Sequence, residues 1–308
     1  IANGSLALSA SYLSLNIGEG DEVITTPRTF IATASSLSLL NAKPVFADVD
    51  INSGNITVNS IEPLINKRTK AISVVHLGGW PADMPKITKL AKSYNLKLIE
   101  DCAQAHGAKY KGKSVGSIGD IGCWSFCQDK IMTTGGEGGM VTTNNKSLWL
   151  KMWEYKDHGK SYEAVYNKKH PEGFRWIHES FGTNWRMTEM QGAIGRIQLN
   201  KMAEWTKIRN ENARILSDKF SEFSGKDGII RIPQFSNDKG CIHAFYKYYI
   251  FVQEKNMNNN WSRDRIISEI SSKGVPCMHG SCSEVYLEKA FDNTNYRPHE
   301  RLPVAKQL

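Results

Sequence analysis

The 308-residue sequence has no apolar run of about 18 residues and no signal-peptide pattern, so a soluble, cytoplasmic protein without a membrane partner is expected. Its six cysteines, Cys102, Cys123, Cys127, Cys241, Cys277 and Cys282, show no C-x-x-C pairing and lie in or beside apolar stretches. That excludes a disulfide framework or a closed zinc site and fits a reducing compartment. No G-x-G-x-x-G follows a strand pattern, and the G-x-x-x-x-G-K-[ST] string "GAKYKGKS" at 107–114 precedes no helical pattern, so neither a dinucleotide fingerprint nor a P-loop is expected. Lysine and arginine (39) outnumber aspartate and glutamate (31), yet the basic residues form no long run. A nucleic-acid partner is therefore not expected, while attraction of a small anion is allowed. Low complexity is confined to "NMNNNW".

What is present is a chain with 40% hydrophobic residues, enough for a large core. Six short β-rich runs, "DEVITTP", "KPVFADVD", "KAISVVHL", "LKLIEDC", "IGCWSFC" and "GGMVTTN", alternate with the helical patterns "TFIATASSLSLLNAK", "SIEPLINKRT" and "ADMPKITKLAKSYNL". The alternation predicts an α/β domain with a mixed, mostly parallel sheet covered by helices, and ligands at the carboxyl ends of its strands. A proline-free helical pattern over 188–220 leads out of this domain. Beyond it, "GCIHAFYKYYIFVQ" reads as an aromatic strand, "WSRDRIISEISSKG" as a helix starting near Ser262 and "VPCMHG" as a further strand. The expected division is a large domain over 1–225 and a smaller α+β domain over 226–308. Ile1 in place of Met and the ending "RLPVAKQL" suggest a fragment.

Three places carry chemistry. Gly4 and Ser5 precede an apolar helical pattern, so their backbone N–H groups can face an anion, or Ser5 can be an ordinary N-cap. Glu100 and Asp101 end a strand, and alternation sends them to opposite faces. One then faces the ligand end of the sheet, where a lasting negative charge implies a positive partner. Lys130 follows the apolar run "GCWSFC" and precedes "TTGGEGG", whose glycines let backbone approach a ligand. A lysine held there can lose its proton and form a Schiff base with a carbonyl. An aldehyde cofactor that also needs a carboxylate for a ring nitrogen and N–H groups for a phosphate is pyridoxal 5′-phosphate.

These segments bear a family resemblance. "ANGSLAL", "GEGDEVITTPRTFIATA", "IEDCAQAHGAKYKGKSVGSIGDIGCWSF", "DKIMTTGGEGGMVTTN" and "GTNWRMTEMQGAIGRIQL" stand in an order that resembles the DegT/DnrJ/EryC1/StrS nucleotide-sugar aminotransferases, enzymes of the aspartate-aminotransferase fold, fold type I. The resemblance covers nearly all of residues 2–200 and thins past 225. It implies Lys130 as the catalytic lysine that bonds the cofactor, and Asp101 as the acid at the pyridine nitrogen. Gln104 would touch the phenolic oxygen, Gly4, Ser5 and Ser125 the phosphate, and Phe30 the ring face. Asn184 would reach the phosphate in a second subunit, making a homodimer with shared sites. Lysine at 130, where some relatives carry histidine and dehydrate, favours amino transfer. The loop "TTGGEGG" has one glycine more than the commoner "TTGEGG".

The function implied is transfer of an amino group from L-glutamate to a nucleoside-diphosphate keto sugar, for surface polysaccharide or a glycosylated metabolite. His158, Trp185, Arg186 and His279 are candidates for the sugar end, with packing and a structural ion pair as the alternative for Trp185 and Arg186. Two other functions are open to the residues. One is a non-catalytic protein of the same fold. The other is a metal hydrolase on His76, Asp101, Cys102 and His106, whose spacing lacks the tight pattern of zinc motifs, so no metal is expected.

Overall fold

The computed structural model describes residues 1–235 and 240–308. All six β-rich runs become strands of one sheet. They are β1 (Glu22–Thr25), β2 (Lys43–Phe46), β3 (Thr69–Val75), β4 (Lys97–Asp101), β7 (Ile121–Ser125) and β8 (Gly139–Thr142). A short ribbon, β5 (Lys109–Tyr110) and β6 (Lys113–Ser114), lies between β4 and β7. The order is β2-β1-β3-β4-β7-β8, parallel except for the antiparallel pair β7–β8. Register pairs Val75 with Asp101 and Asp101 with Cys123, so the strands feeding the site end together.

Helices cover both faces. On one, α1 (Gly4–Ser14), α2 (Ala32–Ser38) and α5 (Lys146–Tyr155) pack with Val23, Ala71, Ile99, Ile121 and Cys123. On the other, α3 (Val58–Ile61) and α4 (Met84–Ser93) cover Ile24, Ile72, Val74 and Leu98. The expected helix at "SIEPLINKRT" is cut short, with a single 3-10 turn at Glu62–Leu64 around Pro63. After α6 (Tyr162–Tyr166), α7 (Glu189–Phe220) runs 32 residues. Its start is fixed by a capping box in which Thr188 and Gln191 satisfy each other's backbone N–H. No described helix is long and apolar enough to cross a membrane.

The second part differs from its sequence-based expectation. α8 (Arg263–Ser272) begins where expected, with the Ser262 side chain accepting from Arg265 N–H. "GCIHAFYKYYIFVQ", however, supplies only Phe251–Val252, paired with Ile230–Arg231. Upstream, Phe245 turns to φ 46°, and the N–H groups of Ala244 and Lys247 go to the carbonyls of Gly79 and Gly78. These bonds to Gly78 and Gly79 take the place of a ladder there. "VPCMHG" forms no strand among the described residues. Residues 284–308 pack beside the end of β2: Tyr286 lies on Phe46 with ring centroids 5.5 Å apart, and Asp48 accepts from the N–H groups of Val304 and Ala305.

Candidate active site

The period of two along a strand builds the site. Asp101 shares parity with Ile99, and Ser125 with Ile121 and Cys123, so both point to the face that α1 covers. Asp101 is 5% exposed. One oxygen accepts from Thr33 Oγ1 at 2.9 Å and the other from Ala103 N–H at 3.1 Å. Burial pushes its carboxyl above the usual carboxylate range, against the pull of those two donors. Thr33 is a site residue that motif reading left without a role.

Asn3, rather than Ser5, caps α1, its side chain accepting from Leu6 N–H. The N–H groups of Gly4 and Ser5 are thereby left among the free donors of the first turn. Gly4 backs directly onto Ser125, and an added Cβ would stand 2.6 Å from that of Ser125. Ser125 Oγ accepts weakly from Cys127 N–H, at 3.4 Å, which leaves its own O–H free to donate.

Lys130 lies five residues beyond the end of β7, with its side chain 16% exposed. Its Nζ is 3.1 Å from Asp129 Oδ1, 3.5 Å from Tyr246 Oη and 5.2 Å from the Tyr246 ring centre. Tyr246 in turn donates to Asp129 Oδ2 at 2.6 Å. Burial would raise the Asp129 carboxyl, but the bonds from Tyr246 and Lys130 prevail and bring it down to about 2. Sequence reasoning missed this pair: Asp129 directly precedes the lysine, but Tyr246 is 116 residues away and carries no local signal. After Lys130, Gly135 and Gly136 both take positive φ, and no atom lies within 4 Å of a Cβ added at Gly136. The longer glycine loop is therefore uncrowded at Gly136 within this chain.

Gln104 Oε1 accepts from Gly78 N–H at 2.7 Å, which leaves its amide N–H2 as the end open to a ligand. Phe30 stands 71% exposed. Glu100, on the opposite face from Asp101, is wholly buried yet fully partnered, accepting from the N–H groups of Gly116, Ile118 and Gly119 and from His76. Burial works to raise its carboxyl, but these donors outweigh it and hold it low. Since His76 Nδ1 accepts from Ala82 N–H, Nε2 carries the proton and donates to Glu100.

The grouping able to hold a metal by distance is His76, Glu100 and Cys102, which shares only two members with the set drawn from the sequence. Its ring nitrogens and carboxylate oxygens are already engaged, and burial holds the Cys102 thiol far up. His106 packs between Trp124 and Phe126, its imidazole pushed down to about 4 by burial.

The sugar-end candidates fall into two places. Asn184 bridges Asp157, and its Oδ1 accepts from Arg186 N–H. Trp185 packs edge-on against Tyr155, with ring centroids 5.0 Å apart, and Arg186 forms an ion pair with Asp157. These are the packing and ion-pair alternatives. His158 is exposed beside them at φ 62°. His279 is separate, with Nε2 3.1 Å from Asp264 Oδ1 on α8.

Comparison with known proteins gives the same picture. Over 270 residues the chain is 37% identical to GDP-perosamine synthase of Escherichia coli O157:H7, covering 87% of this chain and 69% of that one. It is 36% identical over 310 residues to dTDP-3-amino-3,6-dideoxy-alpha-D-galactopyranose transaminase of Aneurinibacillus thermoaerophilus, covering 100% and 77%. An X-ray structure of the aminotransferase from Psychrobacter cryohalolentis superposes with a TM-score of 0.97 at 60% identity, covering 100% of this chain and 78% of that one. The family profile matches residues 1–308, and the chain belongs to the DegT/DnrJ/EryC1/StrS aminotransferase family, whose enzymes depend on pyridoxal phosphate.

Proposed function

We propose that this chain moves an amino group from L-glutamate to the keto carbon of a nucleoside-diphosphate sugar, for a surface polysaccharide or glycosylated metabolite. The reaction would run on pyridoxal phosphate held at the carboxyl ends of β4 and β7. The observation that carries this reading is Asp101, a buried carboxylate whose two hydrogen-bond partners are both neutral. It needs a cation to stay charged, and a protonated pyridine nitrogen fits that need. The Gly4–Ser125 contact fits the other end of the cofactor. It leaves helix N–H groups and a hydroxyl free, and a helix N-terminus favours phosphate.

When bound, the cofactor supplies an electron sink for the carbanion left after a Cα–H bond breaks. In this reading Lys130 Nζ would hold the cofactor and would carry the proton lost from the substrate Cα, while Asp129 and Tyr246 would orient that nitrogen. Gln104 turns its amide donors to the phenolic oxygen and Phe30 covers the ring. Asn184 reaches the phosphate of a second subunit, with His158, Trp185 and Arg186 beside it toward the sugar. His279 is the more distant candidate. A homodimer is supported by apolar residues left exposed in one chain, among them Trp176, Phe181, Met190 and Ile197. The nucleotide-sugar class is supported by relatives named for GDP- and dTDP-linked amino sugars.

The test is mass spectrometry of a panel of 3-keto and 4-keto nucleotide sugars incubated with the cofactor-loaded protein and glutamate. One member should exchange oxygen for nitrogen, and Lys130→Ala should abolish the exchange and the visible absorption of the protein-bound cofactor. Spectra of Lys130→Ala and wild type that coincide after cofactor addition would end the assignment of Lys130. Sedimentation of the loaded protein should report a dimer.

A further inference from the structure

Arg28 is a buried charge without a partner among the described residues. It is 2% exposed, its Nε and Nη1 are sealed from solvent without a hydrogen-bond partner, and no described carboxylate pairs with it. A guanidinium stays charged in proteins, and an unpaired buried charge is among the costliest groups a fold can hold. Arg28 lines a cavity of about 240 Å³, the share of about eight liquid waters. Trp80, Phe235, Tyr248 and Tyr249 give this cavity aromatic walls, and Asn210 adds a polar group from the middle of α7. Arg214 and Lys247 also line it, Arg214 already paired with Asp218 at 3.0 Å, and no aspartate or glutamate lines it among the described residues.

We infer that this cavity is a binding site for a small carboxylate-bearing molecule, with Arg28 as the anion's partner. A carboxylate carries the single charge that one buried guanidinium balances, and its two oxygens match the planar fork. Phosphate is disfavoured because no helix N-terminus opens into the cavity, α7 contributing only residues from its interior. The site borders the lysine without coinciding with it. Phe245, Lys247, Tyr248 and Tyr249 line the cavity, while Tyr246 in the same segment reaches Lys130 Nζ. Two sources of a carboxylate suit the volume: a dicarboxylic amino donor or its keto acid, which rests on the amino-transfer reading, and the carboxylate of a sugar acid.

The probes are glutarate, which has no amino or keto group to react, glucuronate and inorganic phosphate. Each is titrated by calorimetry and thermal shift into cofactor-loaded wild type and Arg28→Met. Glutarate or glucuronate should bind and raise the melting temperature of wild type, and Arg28→Met should weaken that binding at least tenfold. Glutarate alone assigns the donor as the source, and glucuronate alone the sugar acid. Without ligand, Arg28→Met should melt no lower than wild type, since it exchanges an unpaired buried charge for an apolar side chain of similar length. If Arg28→Met does not fold, Arg28→Lys, which keeps the charge and loses the fork, carries the same tenfold expectation. Binding by neither acid, binding undiminished in the variant, or binding of phosphate alone overturns the inference. Because these measurements involve no turnover, an enzyme that binds glutarate through Arg28 yet aminates no sugar counts against the proposed function and not against this site.

Discussion

Gly4 and Ser125 meet with no room between them: a Cβ on Gly4 would lie 2.6 Å from Ser125 Cβ and 3.0 Å from its Oγ. The contact joins the first turn of α1 to the end of β7, and so joins free helix N–H groups to a hydroxyl. Gly4→Ala sets two effects against each other. Alanine favours the helix by about 1 kcal/mol over glycine, while a clash with a side chain rooted in a buried strand costs about 1–3 kcal/mol. The clash can be relieved only by moving α1 away from Ser125. The expected outcome is a cofactor dissociation constant raised about tenfold or more, with the far-ultraviolet circular dichroism unchanged. Absorption titration with pyridoxal phosphate measures it, and wild-type affinity in Gly4→Ala would show that the contact does not shape the phosphate site.

Asp101→Asn should move stability and activity in opposite directions. The folded-state pKa of Asp101 is raised above its unfolded value of about 3.8. Its contribution to stability is therefore fully present below that value and lost as pH rises through the folded pKa. At pH 7 the cofactor-free wild type bears the cost of that upward shift, which the isosteric amide does not. Asparagine can still accept from Ala103 N–H and donate to Thr33, so the cofactor-free variant should be about 1–3 kcal/mol more stable at pH 7, with no advantage left near pH 3. Amino transfer should fall by about a hundredfold or more, because an amide cannot hold the pyridine nitrogen protonated. Urea unfolding across pH and steady-state kinetics measure the two effects. A variant that is less stable at pH 7 and still active would remove Asp101 from its assigned place.

The sheet was legible because its six strands are bounded by turn residues and the inner ones, such as β1, β3 and β4, carry buried apolar runs. The parity of Ile99 and Asp101 is written in the sequence itself. Lys130, Asp101 and Ser125 were legible for the same reason, all lying at or just past strand ends. Tyr246 and Arg28 were not, because their importance comes from contacts across the fold. Tyr246 meets Asp129 from 117 residues away, and Arg28 in "TPRTF" gives no sign that it is sealed without a partner. The aromatic run over 243–249 misled for a related reason. Alternation and aromatic content suit a strand, but the backbone of Ala244 and Lys247 is bound by Gly78 and Gly79, and Tyr249 fills the space over Gly78 that a side chain would take.

Tyr246→Phe isolates the hydroxyl at the lysine. It removes a 2.6 Å bond to Asp129 and the 3.5 Å contact with Lys130 Nζ, while the ring beneath Nζ stays. A hydrogen bond to a charged group contributes about 1.5–3 kcal/mol. If it orients the lysine for proton transfer, kcat should fall about tenfold to a hundredfold, while the cofactor dissociation constant and KM stay within about twofold. A purely structural hydroxyl would lower the melting temperature and leave kcat alone. Kinetics and thermal unfolding on the same preparation separate the two.

Glu100→Ala tests the other acid of the pair as a structural anchor. Its carboxylate takes N–H groups from Gly116, Ile118 and Gly119 and the Nε2–H of His76, in a place no water reaches. Alanine would leave these donors buried and unpaired, at a cost of about 3–5 kcal/mol, which lowers the melting temperature by roughly 5–8 °C in a chain of this size. The segment 116–119 leads into β7, so its loosening should also reach Ser125 and weaken cofactor binding. The pH dependence runs opposite to that of Asp101. The folded-state pKa of Glu100 is depressed below 4.5, so its stabilisation is present above that value and lost as pH falls through the folded pKa. The stability gap between wild type and Glu100→Ala should therefore be widest above about pH 5 and close in stronger acid. Thermal unfolding between pH 3 and pH 7, two values bracketing the carboxylate range, reads it directly. A gap that stayed constant across that range would mean the carboxylate charge contributes nothing, and that the loop is held by shape alone.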